Sequence, residues 1–193
     1  PLRPIRGQVS ALPAAAVTGK LRAPFCHSGY VTPPRGGMLN FGASFVPGDA
    51  DRSLRRDEHR HNLEALADAV PAWAPALRAL DPAAVDGRAE LRCGAPDYLP
   101  HAGPVPGPAA FRERYAALGR NARAAVPARA PCVPGLYLST GHGSRGLSSA
   151  PLAAELIASQ ACDEPLPLPR SLARALAPAR FILRDLIRAG GTP

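Results

Sequence analysis

Gly135-Leu-Tyr-Leu-Ser-Thr-Gly141-His142-Gly143-Ser144-Arg145-Gly146-Leu147-Ser-Ser-Ala-Pro151 is the stretch that decides how this chain is read. A short apolar run, Leu136 to Leu138, stops at Thr140, and glycines follow at 141, 143 and 146. A helical pattern then opens at Ser148-Ser149 and extends to Cys162. The glycines form G-x-G-x-x-G between a predicted strand and a predicted helix, the context in which that spacing carries meaning. Glycine admits positive φ and close backbone approach. The helix start beyond it offers unpaired N–H groups to an electron-rich ligand. A dinucleotide fingerprint opening a Rossmann fold is rejected, because that fold needs a second strand ending in an acidic residue about 20 residues on. Here Asp163-Glu164 is followed by Pro165-Leu-Pro-Leu-Pro169, which cannot be an interior strand. Spacing alone leaves two readings open, a structural strand-to-helix turn and a cofactor loop.

Composition narrows the classes. The 193 residues suit one ordinary domain or two small pieces. The 24 prolines and 18 glycines predict short elements joined by much loop. The net charge of +8 is carried by arginine, with Lys20 the only lysine. That bias fits phosphate contact and equally an arginine-favouring coding preference. Cys26, Cys93, Cys132 and Cys162 are scattered, without C-x-x-C or histidines at zinc spacing, so no metal site is expected and the thiols read as buried or incidental in a reducing compartment. No apolar run reaches membrane-spanning length and no signal peptide is present, so a cytoplasmic location without membrane contact is expected. The chain opens on Pro1-Leu2-Arg3 without Met and reads as part of a longer protein.

Outward from the glycine turn, Pro1 to Ser10 reads as extended and Ala11 to Lys20 as loop. Phe25 to Val31 and Met38 to Phe45 read as antiparallel strands around the Pro33-Pro34-Arg35-Gly36-Gly37 turn. A helix is predicted over Asp57 to Val70 with Leu63, Leu66 and Val70 inward. His59 and His61, two apart, make a poor metal pair and read as solvated surface. A short helix over Trp73 to Leu80 precedes a strand from Val85 to Cys93, on which Arg88, Glu90 and Arg92 share a side. Arg92 and Asp97 then suggest either a site or a turn-fixing ion pair, and a helical piece is predicted over Phe111 to Ala125. In the tail, Arg170 and Arg174, then Arg180, Arg184 and Arg188, recur every four residues. The pattern fits an amphipathic helix with a solvated basic face or a strip beside nucleic acid.

Several passages occur together and in order: Arg6-Gly-Gln8, Gly29-Tyr30-x-x-Pro33, Phe41-Gly-Ala-Ser44, Arg92-x-x-x-x-Asp97-x-Leu-Pro100, Gly141-x-Gly-Ser-Arg-Gly-Leu-x-x-Ala-Pro151 and Pro178-x-Arg-Phe181. This series resembles the C-terminal FAD-dependent oxidoreductase module of the bifunctional tRNA 5-methylaminomethyl-2-thiouridine biosynthesis proteins, which is similar to glycine, sarcosine and D-amino-acid oxidases. The resemblance implies a partial glycine-oxidase-like fold of the α+β or α/β class. In it an antiparallel substrate-covering sheet is joined to the C-terminal strand and helix of an FAD-binding domain whose N-terminal Rossmann part is missing. It also implies a division into a junction (1–7), a substrate-binding sheet (8–92), a return to the FAD-binding domain (93–164) and a basic helical tail (165–193).

The implied chemistry is FAD-dependent removal of the carboxymethyl group from 5-carboxymethylaminomethyl-(2-thio)uridine at the tRNA wobble position. An S-adenosylmethionine-dependent methyltransferase is expected upstream in the same chain. By the same resemblance Gly141, His142, Gly143, Ser144, Arg145, Gly146 and Leu147 contact the flavin, with Arg145 supplying charge or tying the turn. Arg92 is the first choice to hold the substrate carboxylate, with Arg88 on the same side of its strand as the alternative, and Tyr30 assists from the sheet. Asp97 is expected to hold its loop through backbone hydrogen bonds. Two further readings compete: a stand-alone amine oxidase of the glycine or sarcosine type, and a catalytically incompetent piece that cannot hold FAD alone.

Overall fold

The computed structural model describes residues 1–126 and 130–189. The chain divides into two compact units, one of Pro4–Arg92 and one of Pro1–Arg3 with the chain from Cys93 on.

The first unit is a six-stranded sheet covered by helices. Its strands are β1 (Arg3–Pro13), β2 (Phe25–Cys26), β3 (Tyr30–Val31), β4 (Met38–Gly42), β5 (Val46–Pro47) and β6 (Asp86–Gly94), in the order β2-β3-β4-β1-β5 with β6 also paired to β1. β1 runs antiparallel to β4, with Val9 opposite Gly42 and Leu12 opposite Leu39. β4 in turn meets β3, with Tyr30 opposite Gly42. Helices α1 (Arg56–Ala69) and α2 (Ala74–Arg78) pack with the sheet. The core contains Leu12, Val31, Leu39 and Phe41 from the strands and Leu63, Leu66, Trp73 and Leu77 from the helical segment. Each fully buried leucine there contributes about 1.5–3 kcal/mol relative to exposure. Asp57 and Glu58 in the first turn of α1 complement its dipole.

The second unit pairs β7 (His101–Pro106) antiparallel with β8 (Cys132–Thr140), with His101 opposite Thr140 and a bulge between Pro104 and Pro106. Those prolines cannot donate to a further strand. Helix α4 (Gly146–Cys162) lies on β7 and β8. Its Leu156 and Ala153 pack with Ala102 and with Ala173 of α5 (Arg170–Leu176), while α6 (Arg180–Ala189) packs on α3 (Pro108–Arg114). Among the described residues no helix is long and apolar enough to cross a membrane, and no group of His, Cys, Asp or Glu is arranged to hold a metal.

The mixed architecture, with its antiparallel sheet and helices, matches the partial glycine-oxidase-like expectation. Several local expectations change. The strand expected to end at Ser10 continues to Pro13, because Met38 to Gly42 supply its partners as far as that residue. The single strand expected over 25–31 is two short strands around a turn at His27 to Gly29. Gly29 is required at that turn, since an added Cβ would come 2.5 Å from the Gly42 carbonyl oxygen. The helix expected over 111–125 occupies only α3. Beyond it the chain tightens into a 3-10 turn at Ala116–Gly119, where Gly119 approaches the backbone of α6 at Leu186. His59 is buried rather than solvated. Cys26, Cys93 and Cys162 are exposed, free thiols, and Cys132 is half-buried.

Candidate active site

Strand alternation places the candidate substrate residues. On β1, Arg6, Gln8, Ser10 and Leu12 are buried and share one face, as residues two apart in a strand must. That face is bound to α1 through a polar row. Arg6 Nε donates to Glu58 Oε1 at 2.8 Å, and its two terminal nitrogens donate to the Asp51 and Ser53 carbonyls and to Gln8 Oε1. Gln8 answers both backbone groups of Arg55, donating from Nε2 to the carbonyl and accepting from the N–H, each at 2.8 Å. Asn62 Nδ2 donates to Ser10 Oγ at 3.0 Å, and Ser10 Oγ lies 2.8 Å from His59 Nδ1. Burial pushes the pKa of the His59 imidazole below the ordinary value.

Gly7 and Val9 take the opposite face. Tyr30 is in register with Gly42, and Gly42 with Val9, so the Tyr30 side chain belongs to that face too. The Arg92 guanidinium lies directly over Gly7. The sheet thus brings Tyr30 and Arg92 onto one face, away from α1. Arg92 Nη1 donates to the Ser44 carbonyl at 3.4 Å, and no carboxylate among the described residues pairs with it. Arg88 is exposed at the surface, whereas Arg92 is half-buried. A half-buried, incompletely satisfied guanidinium is suited to a carboxylate, which it can take bidentately.

In the second unit the glycine turn has the form its sequence predicts. Gly141 and Gly143 have φ of +74° and +56°. A 3-10 turn at Gly143–Arg145 leads into α4 at Gly146. His142 closes the turn, its Nε2 3.0 Å from Ser139 Oγ on β8 and its Nδ1 2.8 Å from Ser149 Oγ on α4. Ser149 Oγ also donates back to the Arg145 carbonyl at 2.9 Å. Pro151 has no N–H to give to the carbonyl of Leu147. Leu147 is 99% exposed, and Ser144 and Arg145 are exposed beside it. The residues 144–148, 150 and 151 line an open depression of about 890 Å³. Glycines without Cβ, helix-start N–H groups and an arginine with no carboxylate partner among the described residues fit the electron-rich carbonyl edge of a flavin. The residues present fit the group.

One arrangement escaped sequence reasoning. Asp97 pairs with Arg180, not Arg92: Arg180 Nε and Nη2 meet its two oxygens at 2.8 and 3.0 Å. Arg180 Nη2 also donates to the Leu99 carbonyl at 2.7 Å, and Nη1 lies 3.1 Å from His101 Nδ1. The guanidinium of Arg180 stacks 4.5 Å from the Phe181 ring centre. The expected backbone bond exists as well, from Leu99 N–H to Asp97 Oδ1 at 3.2 Å. A guanidinium can only donate, so His101 Nδ1 accepts and the buried ring is neutral. Burial first, and then the adjacent Arg180 charge, push its pKa down to about 4.

Comparison with known proteins gives the class. Residues 1–160 match the family model for FAD dependent oxidoreductase, so the chain belongs to that family and FAD is its cofactor. Among curated proteins it is 48% identical over 196 residues to the tRNA 5-methylaminomethyl-2-thiouridine biosynthesis bifunctional protein MnmC of Chromohalobacter salexigens, covering 100% of this chain and 28% of that protein. It is 52% identical to the protein of the same name from Pseudomonas paraeruginosa, covering 97% of this chain and 29% of that one. The chain therefore spans under a third of these relatives. Among solved structures, glycine oxidase from Geobacillus kaustophilus superposes with a TM-score of 0.60 at 18% identity, covering 91% of this chain and 38% of that one, a likeness of fold.

Proposed function

We propose that this chain is part of the oxidase half of a bifunctional tRNA-modifying protein. It acts on 5-carboxymethylaminomethyl-(2-thio)uridine at the wobble position and releases glyoxylate to leave 5-aminomethyl uridine. A methyltransferase upstream in the same protein then methylates that amine. High identity to relatives named for 5-methylaminomethyl-2-thiouridine biosynthesis supports the tRNA reading. The observation that carries the chemistry is the Arg92 guanidinium, free of any carboxylate among the described residues and on the same sheet face as Tyr30.

FAD, when bound, supplies the two-electron acceptor for oxidising the substrate's secondary amine to an imine, which water splits into primary amine and glyoxylate. Arg92 holds the carboxylate of the carboxymethyl group and so fixes which carbon is presented. Tyr30, whose hydroxyl has no partner among the described residues, orients the substrate from the sheet. Gly143 to Leu147 hold the electron-rich edge of the cofactor at the start of α4, where preorganised donors are most effective. Arg145 adds positive charge there. Asp97, saturated by Arg180 and Leu99, positions its loop and moves no proton. Because the 193 residues span under a third of these relatives, we expect them to be inactive without the remainder of the protein.

The test is the visible spectrum of the intact protein before and after anaerobic addition of hypomodified tRNA. Bleaching of an oxidised-flavin band by the tRNA, but not by glycine or sarcosine, is expected. Bleaching by the small amines alone would assign a stand-alone amine oxidase instead.

A further inference from the structure

Charge is distributed unevenly along this chain. Residues 1–48 contain five arginine and lysine residues and no aspartate or glutamate, so this quarter of the sequence carries five of the eight net positive charges. Arg6 is spent internally on Glu58. Lys20, Arg22 and Arg35 are exposed and form no ion pair with a carboxylate among the described residues. By contrast Arg52, Arg55, Arg56, Arg60 and Arg78 of the same unit all pair with carboxylates.

The three cations stand on fixed supports. The loop bearing Lys20 and Arg22 is tied down by Trp73 Nε1, which donates to the Thr18 carbonyl at 2.7 Å, and by Val17 and Leu21 packed on the core. The turn bearing Arg35 is held at the same end of the sheet, where the Ala14 N–H donates to the Gly37 carbonyl at 2.8 Å. That loop leads into β2, the outermost strand of the sheet. On β2, Phe25 is 40% exposed and stacks on His27 with ring centres 5.9 Å apart. The partner strand of this short hairpin carries Tyr30.

We propose that this sheet edge binds the single-stranded RNA that flanks the base under modification. The phosphates lie on Lys20, Arg22 and Arg35, and a neighbouring base stacks on the Phe25–His27 pair. Fixed cations beside an exposed aromatic surface are the combination that holds single strands. The same hairpin then guides the modified base round to the face bearing Tyr30 and Arg92. The inference rests on the tRNA reading above and names the surface that reading requires.

The experiment compares the intact flavin-loaded protein with three variants: K20E/R22E/R35E, Phe25→Ala, and R112E/R114E, which reverses an equally exposed arginine pair on α3. Binding of fluorescent hypomodified tRNA is measured across a salt series, together with oxidation of the free 5-carboxymethylaminomethyl uridine nucleoside and the melting temperature. The triple variant is expected to bind tRNA at least 10-fold more weakly, with a shallower salt dependence. Phe25→Ala is expected to bind several-fold more weakly with an unchanged salt slope. Both should oxidise the nucleoside and melt as the wild type does. Equal loss in R112E/R114E, or undiminished tRNA binding in the triple variant, would overturn the assignment while leaving the oxidase reading intact. Failure of the wild-type protein to bind tRNA or to oxidise the nucleoside would instead remove the proposed function itself.

Discussion

The guanidinium of Arg92 occupies the space above Gly7 that a β-carbon would need. An atom added there would come 2.5 Å from Cζ and closer still to Nη1. The glycine between Arg6 and Gln8 therefore acts on the opposite face from its neighbours. It leaves a flat seat for an arginine that belongs to another strand. Gly7→Ala should push Arg92 off this seat while leaving the Arg6 and Gln8 contacts in place. We expect the KM for the carboxylate-bearing substrate to rise about 10-fold or more, the worth of one charge-assisted hydrogen bond. Nearly unchanged flavin content and kcat would mark the effect as one of positioning, and unchanged kinetics would show that Arg92 does not hold the carboxylate from this seat.

Arg92 and Arg88 lie on the same side of β6, and charge-conserving substitutions separate them. Arg92→Lys keeps the charge but loses the planar fork, and should raise KM about 10- to 100-fold. Arg88→Lys, at an exposed position, should leave steady-state kinetics unchanged.

The burial of His101, with the Arg180 charge beside it, makes stability depend on pH in a defined window. The folded pKa is about 4 against 6.5 for a free imidazole. Between those values the unfolded chain binds more protons, so stability falls as pH drops from 6.5 towards 4 and the loss levels off below. The gap between those two values sets a ceiling of about 3.4 kcal/mol on the loss from this group. His59, also lowered by burial, acts in the same direction. Urea midpoints across that range should fall for the wild type and fall less for His101→Met. An identical slope in the variant would refute the assignment of His101.

Asp97→Asn removes the charge from the pair with Arg180 but not its shape. Stability should drop by about 1–3 kcal/mol, measured by chemical denaturation at pH 7. The pH profile of oxidation should stay as it was, because Asp97 takes no proton in the reaction. The Arg180 guanidinium holds its carboxyl below the ordinary range. Its contribution is therefore present above pH 3.8 and lost as pH falls through the lowered folded value.

His142 bridges Ser139 and Ser149 across the glycine turn. His142→Ala should weaken FAD binding several-fold in a fluorescence titration of apoprotein with little change in melting temperature. Ser149→Ala, which removes only one end of the bridge, should have a smaller effect.

The glycine turn was legible because its signals are local: an apolar run, glycines where φ turns positive, and a helical period that begins at once. Helix α1 was legible within a residue at each end for the same reason. Set against His61, His59 reads as solvated. Its relation to Asn62, Leu63 and Leu66, three, four and seven residues on, would have put it on the buried face. The bond between Arg180 and Asp97 spans 83 residues and has no local trace. The shared face of Tyr30 and Arg92 is also hidden, since alternation fixes a side within one strand and only registry relates one strand to the next. Phe111 to Ala125 reads as continuous because alanines and arginines favour a helix, but the chain leaves α3 at Arg114 for a 3-10 turn at Ala116–Gly119.

Gln8 meets both peptide groups of Arg55, while Arg6 and Ser10, one step to either side on the same face, meet Glu58 and His59. Grease alone would let α1 slide along the sheet or roll a little, since apolar contacts are indifferent to small shifts. Here each step of the strand is matched to a different residue of the helix start, and a displacement of one residue would leave a guanidinium, an amide and an imidazole buried without partners. The helix is thereby indexed to the strand, as a key is by its wards. Gly7, sitting between two of those teeth, inherits a fixed height and tilt, and so does whatever rests on it.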